Sequence, residues 1–467
     1  MASQSIKVVP TAPSKATGYP YKFNFYLAWC TFWGGFVHFT IGYDSGVAGG
    51  LFTKKSFLQR FYPNFHGRKD TPYCQVTADT SNILLLGRAF CGFGEGFGMF
   101  VYNIYLAEIA PAQLRGKIVG TSVTWSASGV LFGQLVNYLV FQRSNGWQIA
   151  VSMVSIPAGL LALNSLFMHD TPISLLMRNK REAALVSLRK YRGVEDVEDE
   201  LQDMELFVKN RISTVEALKL VARKRQYWPG LIINLGPQVF ALLGFGAQTA
   251  LWNSIVVGGA KIFGVFIGVF VLDTRLVRRK LLVTGGILQT IFLAATAIVF
   301  AIKVEDVKGA QVTKGVAAVI LVLIIIYEIA FMGGQHVPTL GMAAEVVPIE
   351  VRQVVFPINM IAYASQSMAI SYSFTFMLCA MVWGTFLFFA GLTALLAVWA
   401  YFFMPETHHV PLERVHSVVA EHKVWRRFFP ATDTEAATRA GGLELADAVK
   451  SEDSLKRKES SSGSVSE

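Results

Sequence analysis

The sequence predicts an all-α polytopic membrane protein, on three observations. Of 467 residues, 53% are hydrophobic and only 16% charged, where a soluble domain carries about 25% charge. Apolar runs of about 20 residues, the length that crosses a bilayer, recur along the chain. The basic residues gather in loops between those runs, the pattern of cytoplasmic loops. That placement accounts for the net charge of +10 better than binding to nucleic acid does.

The runs fall at 23–47, 83–107, 117–140, 147–168, 228–247, 250–272, 280–302, 316–343, 354–378 and 379–404, about ten spans. The run 228–247, "PGLIINLGPQVFALLGFG", is the weakest, being broken by Pro and Gly. Residues 1–22 form a polar tail without the apolar stretch and small-residue site of a cleaved leader, so the first span serves as its own signal anchor. The loop 169–226 holds Arg178, Lys180, Arg181, Arg189, Lys190, Arg192 and the cluster Arg223, Lys224, Arg225. The turn "TRLVRRK" before the run at 280–302 is basic too. Both loops face the cytoplasm, and an even span count puts both termini there. Within the long loop, "KREAALVSLRKYRGVEDVEDELQDMELFVKN" has helical apolar spacing and mixed charge. It reads as short amphipathic helices along the cytoplasmic face. The organisation expected is a tail (1–22), an N-terminal bundle (23–168) with an outer lid (49–82), a linker (169–226), a C-terminal bundle (227–404) and a tail (405–467). From about Pro430 the composition is that of a disordered segment.

Ionisable residues inside spans are expensive and draw attention. Asp44 ends the first run, in "IGYDSGVAGG". It reads either as a proton carrier or as a cap that reaches the outer surface. Glu95 in "GFGEGFG", Lys261 in "VVGGAKIFG" and Glu328 in "LIIIYEIAF" are also intramembrane. Two segments repeat: "AEIAPAQLR" and "AEVVPIEVR" place Glu108 with Arg115 and Glu345 with Arg352, each Arg seven residues after its Glu. A parallel repeat of this kind is expected of a transporter with two related halves. The four cysteines form no Cys/His cluster of metal-site spacing. No nucleophile–base constellation stands out, so neither an enzyme nor a cofactor is expected. Gln134, Asn137, Gln335, His336, Asn359 and Gln366 are polar and near spans, and read as helix–helix bonds or interfacial groups.

The segments "IGYDSGVAGG", "GRAFCGFGEGFG", "YLAEIAPAQLRG", "DTPISLLMRNKREAALVSLRKYRGVEDV", "AAEVVPIEVR", "LCAMVWGTFLFFAG" and "MPETHHVPLERV" give the chain a specific resemblance. It resembles the plant sugar transport proteins, the monosaccharide–proton symporters in the sugar porter branch of the major facilitator superfamily. "SFL…FYP" and "YCQ" within 56–75 match the plant subgroup. The resemblance implies the major facilitator fold: two helical bundles joined by a cytoplasmic helical linker. It implies a plasma-membrane carrier whose partners are a monosaccharide, a proton and the lipid bilayer. Asp44 would carry the proton and Arg88 would be its partner. Glu108, Arg115, Arg278, Arg279, Glu345, Arg352 and Glu406 would form a cytoplasmic gate network. Cys74 and Cys379 would pair as an exoplasmic disulfide, while Cys30 and Cys91 stay reduced.

The chain also departs from the family. After "YCQVTADT" it passes directly to "SNILLLGRAFCG", so the family's second span, the cytoplasmic turn after it and most of the third span are missing. The N-terminal bundle is thereby incomplete, about ten spans in all. Matched through the flanking motifs, Val123, Ile262, Leu340 and Tyr363 stand where the family binds sugar with Gln, Asn, Trp and Asn. Gln238 is what remains of the seventh-helix amides. Each neutral hydrogen bond lost costs about 1 kcal/mol, so hexose affinity should fall. Two readings therefore stand: a proton-coupled carrier of altered or reduced activity, and a non-transporting sensor, partner subunit or decayed paralogue. Glu95, Glu328 and Lys261 fit no family role, and relaxed constraint is the reading given to them.

Overall fold

The structure, a computed structural model, describes residues 19–51, 57, 82–111, 114–209, 213–229, 231–233, 251–273, 278–303, 314–339, 347, 349–405 and 419–429. Every regular element among them is a helix. Four of these helices are long and apolar enough to cross a membrane: Gly146–Ser165, Arg279–Lys303, Gly315–Thr339 and Trp383–Phe403. Helices α1 (Phe25–Leu51), α2 (Asn82–Ile109) and α3 (Arg115–Leu139) also have spanning length. Most of the run at 228–247 lies outside the described residues, as do the lid from residue 58 to 81 and the tail beyond 429. The chain divides into two compact units, Met1–Arg211 with Ala247–Ile262, and Ile212–Gly246 with Phe263–Glu467.

In the first unit α1 packs against α3 through interlocked glycines. A Cβ on Gly42 would lie 2.0 Å from the Ser126 carbonyl oxygen, and one on Gly46 2.4 Å from that of Val130. From the other side, Gly129 and Gly133 abut the carbonyls of Phe39 and Tyr43. Small residues four apart let two backbones touch, the usual contact where lipid removes any hydrophobic drive. Asn137 adds a bond from Nδ2 to the Val47 carbonyl at 3.0 Å, an interhelical role expected of such an amide.

The span expected over 147–168 is built as α4 (Gly146–Ser152) and α5 (Ser155–Ser165). The reason is Pro157, which has no N–H to return to the Met153 carbonyl four residues back. Ile156 N donates to that carbonyl instead, at 3.2 Å.

The loop helices are α6 (Pro172–Met177), α7 (Arg181–Arg192), α8 (Glu198–Lys209) and α9 (Thr214–Arg223). Local chemistry sets their ends. Thr171 caps α6, with Pro172 in its first turn. Gly193 closes α7 at φ 66°, where a side chain would be strained and would press on the Lys22 carbonyl. Ser213 and Glu216 form a capping box on α9. Helices α6 to α8 share a core of Leu175, Leu176, Ala184, Leu188, Val197 and Leu201.

The second unit contains α11 (Arg278–Lys303), α12 (Lys314–Phe331), α13 (Ile349–Met381) and α14 (Trp383–Phe403). Helix α10 (Leu251–Asp273) is shared between the two units. A π-turn at Met332–His336 continues α12. Gly333 and Gly334 in it meet Gly264, Gly268 and Gly285 backbone to backbone. The described end of the chain, 419–429, folds back on this unit. Val419, Ala420, Trp425 and Phe429 pack with Leu282, Ala400 and Met404, and Trp425 Nε1 donates to the Phe403 carbonyl at 2.7 Å.

Candidate functional site

Helix α1 presents Asp44 between Gly42 and Gly46, and those glycines belong to the α3 contact. Asp44 meets α2 instead. There Arg88 grips it with two prongs: Nη1 donates to Oδ1 at 2.6 Å and Nη2 to Oδ2 at 2.7 Å. This is the bidentate geometry in which an arginine–carboxylate pair is strongest. The Asp44 side chain is 13% exposed and that of Arg88 41%. Tyr43, next to Asp44, turns away and donates to the Ala150 carbonyl at 2.7 Å. Glu95, seven residues beyond Arg88 on α2, brings its carboxyl group against the same Asp44 carboxylate and within electrostatic reach of Arg88. The sequence reading assigned Glu95 no role. Its spacing from Arg88, two helical turns on one face, was the available signal.

Of the five α2 glycines only Gly98 packs, with its Cβ position 3.2 Å from Val37 of α1. A Cβ at Gly87, Gly92, Gly94 or Gly96 would meet nothing within 4 Å. Leu86, Phe90, Phe93 and Phe97 are exposed along the same helix.

At the other end of α2, sequence reasoning missed a second site. Arg192 was counted with the surface charges of the loop, yet it is 2% exposed. Its Nε and Nη2 hold Glu200, and its Nη1 donates to the Ile109 carbonyl at 2.6 Å. Arg192 therefore caps the C-terminus of α2 from the loop. The lead-in to α1 docks on the same helix α7. Lys22 N donates to the Arg192 carbonyl and Asn24 Nδ2 to that of Lys190, while Asn24 Oδ1 accepts from Leu27 N at the start of α1. Tyr191 donates to the His169 carbonyl at 2.9 Å and meets Tyr105 at 3.0 Å. Burial pushes the Tyr191 hydroxyl up from its ordinary range. The one clue in the sequence was the acidic run "VEDVEDE" just after Arg192-Gly193.

Of the expected gate charges, Glu108 is half-buried in the last turn of α2. Arg279 donates from Nη2 to the Tyr401 carbonyl, and its guanidinium stands 5.1 Å over the Tyr401 ring. The side chains of Arg115, Arg278, Arg352 and Cys379 lie outside the described residues, as do Cys74, Gln238, Leu340, Glu345 and Glu406. Cys30 is buried and Cys91 exposed, both as free thiols. At the positions matched to sugar contacts, Val123 is buried in α3, and Ile262 and Tyr363 are half-buried.

Among the described residues every element is a helix, four of them long and apolar enough to cross a membrane, which defines the class of helical membrane proteins. Comparisons narrow it. The inward-open xylose transporter XylE from E. coli matches with a TM-score of 0.56 at 19% identity, over 84% of this chain and 87% of that one. XylE bound to 6-bromo-6-deoxy-D-glucose, described as a major facilitator superfamily proton:xylose symporter, matches at 0.54 and 20% identity over the same shares. The chain thus shares the fold of XylE. The family model described as "Sugar (and other) transporter" matches residues 71–419. Sugar transport protein 5 of Arabidopsis thaliana is 27% identical, over 84% of this chain and 92% of its own length. The H(+)/hexose cotransporter 2 of Parachlorella kessleri is 27% identical, over 90% and 92%. The chain belongs to the sugar transporter family and is an integral membrane protein.

Proposed function

We propose that the chain is a proton-coupled monosaccharide carrier of the plasma membrane with weakened hexose uptake. The observation that carries this reading is the two-pronged Arg88–Asp44 pair joining α1 to α2. A carboxylate held by a cation inside a span is a switchable charge. Adding a proton removes the attraction, and moving the cation or excluding water changes the affinity for the proton. A substrate that alters the α1–α2 contact is thereby coupled to proton uptake. Glu108, Arg115, Arg278, Arg279, Glu345, Arg352 and Glu406 serve as the cytoplasmic gate. The name of the Parachlorella relative, a proton/hexose cotransporter, supports both partners.

A second reading, a non-transporting membrane protein, is favoured by one observation. Val123 and Ile262 offer no hydrogen bond where the resemblance calls for amides. The two readings separate in cells lacking their own hexose carriers, with surface expression confirmed. The carrier reading expects uptake of glucose, galactose or fructose above background that collapses when the proton gradient is discharged. Asp44→Asn abolishes that dependence, and Arg88→Ala shifts the pH optimum upward or stops uptake. No uptake of any of the three by the surface-expressed wild type sinks hexose symport and leaves the second reading.

A further inference from the structure

Glu95 is the intramembrane charge for which the carrier reading has no use, and it lies against the pair on which that reading rests. We infer that Glu95 is the second carboxyl group of the proton site, sharing one proton with Asp44 beside Arg88.

The argument is one of charge and contact. Arg88 spends both guanidinium prongs on Asp44, so one cation is already matched to one carboxylate. Glu95, two turns past Arg88 on α2, interacts with that same carboxylate. Two ionised carboxylates in contact repel, and with one guanidinium they leave a net charge of −1 at membrane depth, where a bare charge is costly. One proton between them removes both penalties: it turns the contact into a hydrogen bond and makes the trio neutral. The other ionisable groups at this level are Tyr43, whose hydroxyl is engaged by the Ala150 carbonyl, and the Cys91 thiol one turn past Arg88. Neither supplies a second cation. The proton then belongs to the pair of carboxyls rather than to either alone. The resting site is loaded, and it unloads when Glu95 is drawn away from Asp44 while Arg88 stays beside the aspartate. This inference rests on the reading of Asp44 and Arg88 as the proton site.

The test is infrared spectroscopy of the purified chain in lipid nanodiscs. Wild type at neutral pH should show a protonated-carboxyl band that shifts in heavy water. Glu95→Gln should remove it. Asp44→Asn should remove it as well, because Arg88 then faces a single carboxylate and holds it ionised. Glu95→Leu serves if the glutamine variant does not fold. A band that survives in Glu95→Gln and Glu95→Leu overturns the inference, and so does a wild type with no such band. Failure of symport itself is seen separately, as absence of substrate-driven proton uptake by wild type, and does not move the band.

Discussion

Arg192 shows how much one side chain can hold. It is enclosed with Glu200, and its third bond ends α2 at Ile109. Removing one partner of a buried pair leaves the other charge without compensation, at about 3–5 kcal/mol. Arg192→Ala should therefore lower the thermal stability of the detergent-solubilised protein by about that much and open residues 169–209 to protease. Replacing both Arg192 and Glu200 by apolar residues should cost less than the single change. A loss within about 0.5 kcal/mol for Arg192→Ala, the range of ordinary surface changes, rejects the capping role. At this scale the sequence was partly legible. Asp44 stood out because charge inside an apolar run is rare, and Arg88 came in through the family resemblance. Arg192 did not, because a basic residue in a basic loop has a ready explanation in membrane orientation, and its burial depends on the tertiary fold.

Elements are where glycine spacing matters. Gly46 faces the Val130 backbone, whereas Gly94 faces open space. Gly46→Leu should destabilise by about 1–3 kcal/mol or more through overpacking. Gly94→Ala should be neutral or stabilise by about 0.5–1 kcal/mol, since it relieves only the entropic cost of glycine in a helix. Thermal melts of the two variants side by side check this, and equal melting points would refute the interlock. Both motifs are rich in glycine, so composition alone could not tell the packed helix from the unpacked one. Nor could the i, i+4 spacing, which Gly42 and Gly46 share with the unpacked Gly92 and Gly96; what differs is the helix that packs opposite. The break before Pro157 was only partly legible, since Pro357 sits inside the continuous helix α13. A pH effect belongs to the segment 419–429. His422 is held below its ordinary value by burial and then by Arg279. The unfolded segment therefore takes up a proton first as pH falls through about 6.5. Docking should weaken from there downward, until the lowered folded value is reached and the loss levels off. Trp425 fluorescence followed from pH 8 to 4 reports it, and His422→Gln should flatten the curve.

For the whole molecule, the expected arrangement has both termini and the 169–226 loop in the cytoplasm. Reporter tags near residue 200 and at the C-terminus should both be protected in intact cells. An exposed C-terminal tag would mean that one run, 228–247 first among them, does not cross. Membrane class and family were legible because charge depletion and seven spread motifs are properties of the chain as a line. Which helices press together is not such a property, and one pairing limits how the molecule can move. The backbones of α1 and α3 are keyed by four glycines, so neither helix can slide or roll past the other without colliding with a carbonyl. They form one stiff plate. The α1–α2 seam has no glycine keyed to a carbonyl: Gly34 and Gly98 meet only side chains, Leu106 and Val37, and its tie at Asp44 is electrostatic and can be released by a proton. Rocking in this unit is therefore steered to that seam, and the ion pair acts as its latch. Hydrogen exchange should find residues 39–47 and 126–134 opening together, and 86–95 opening on its own.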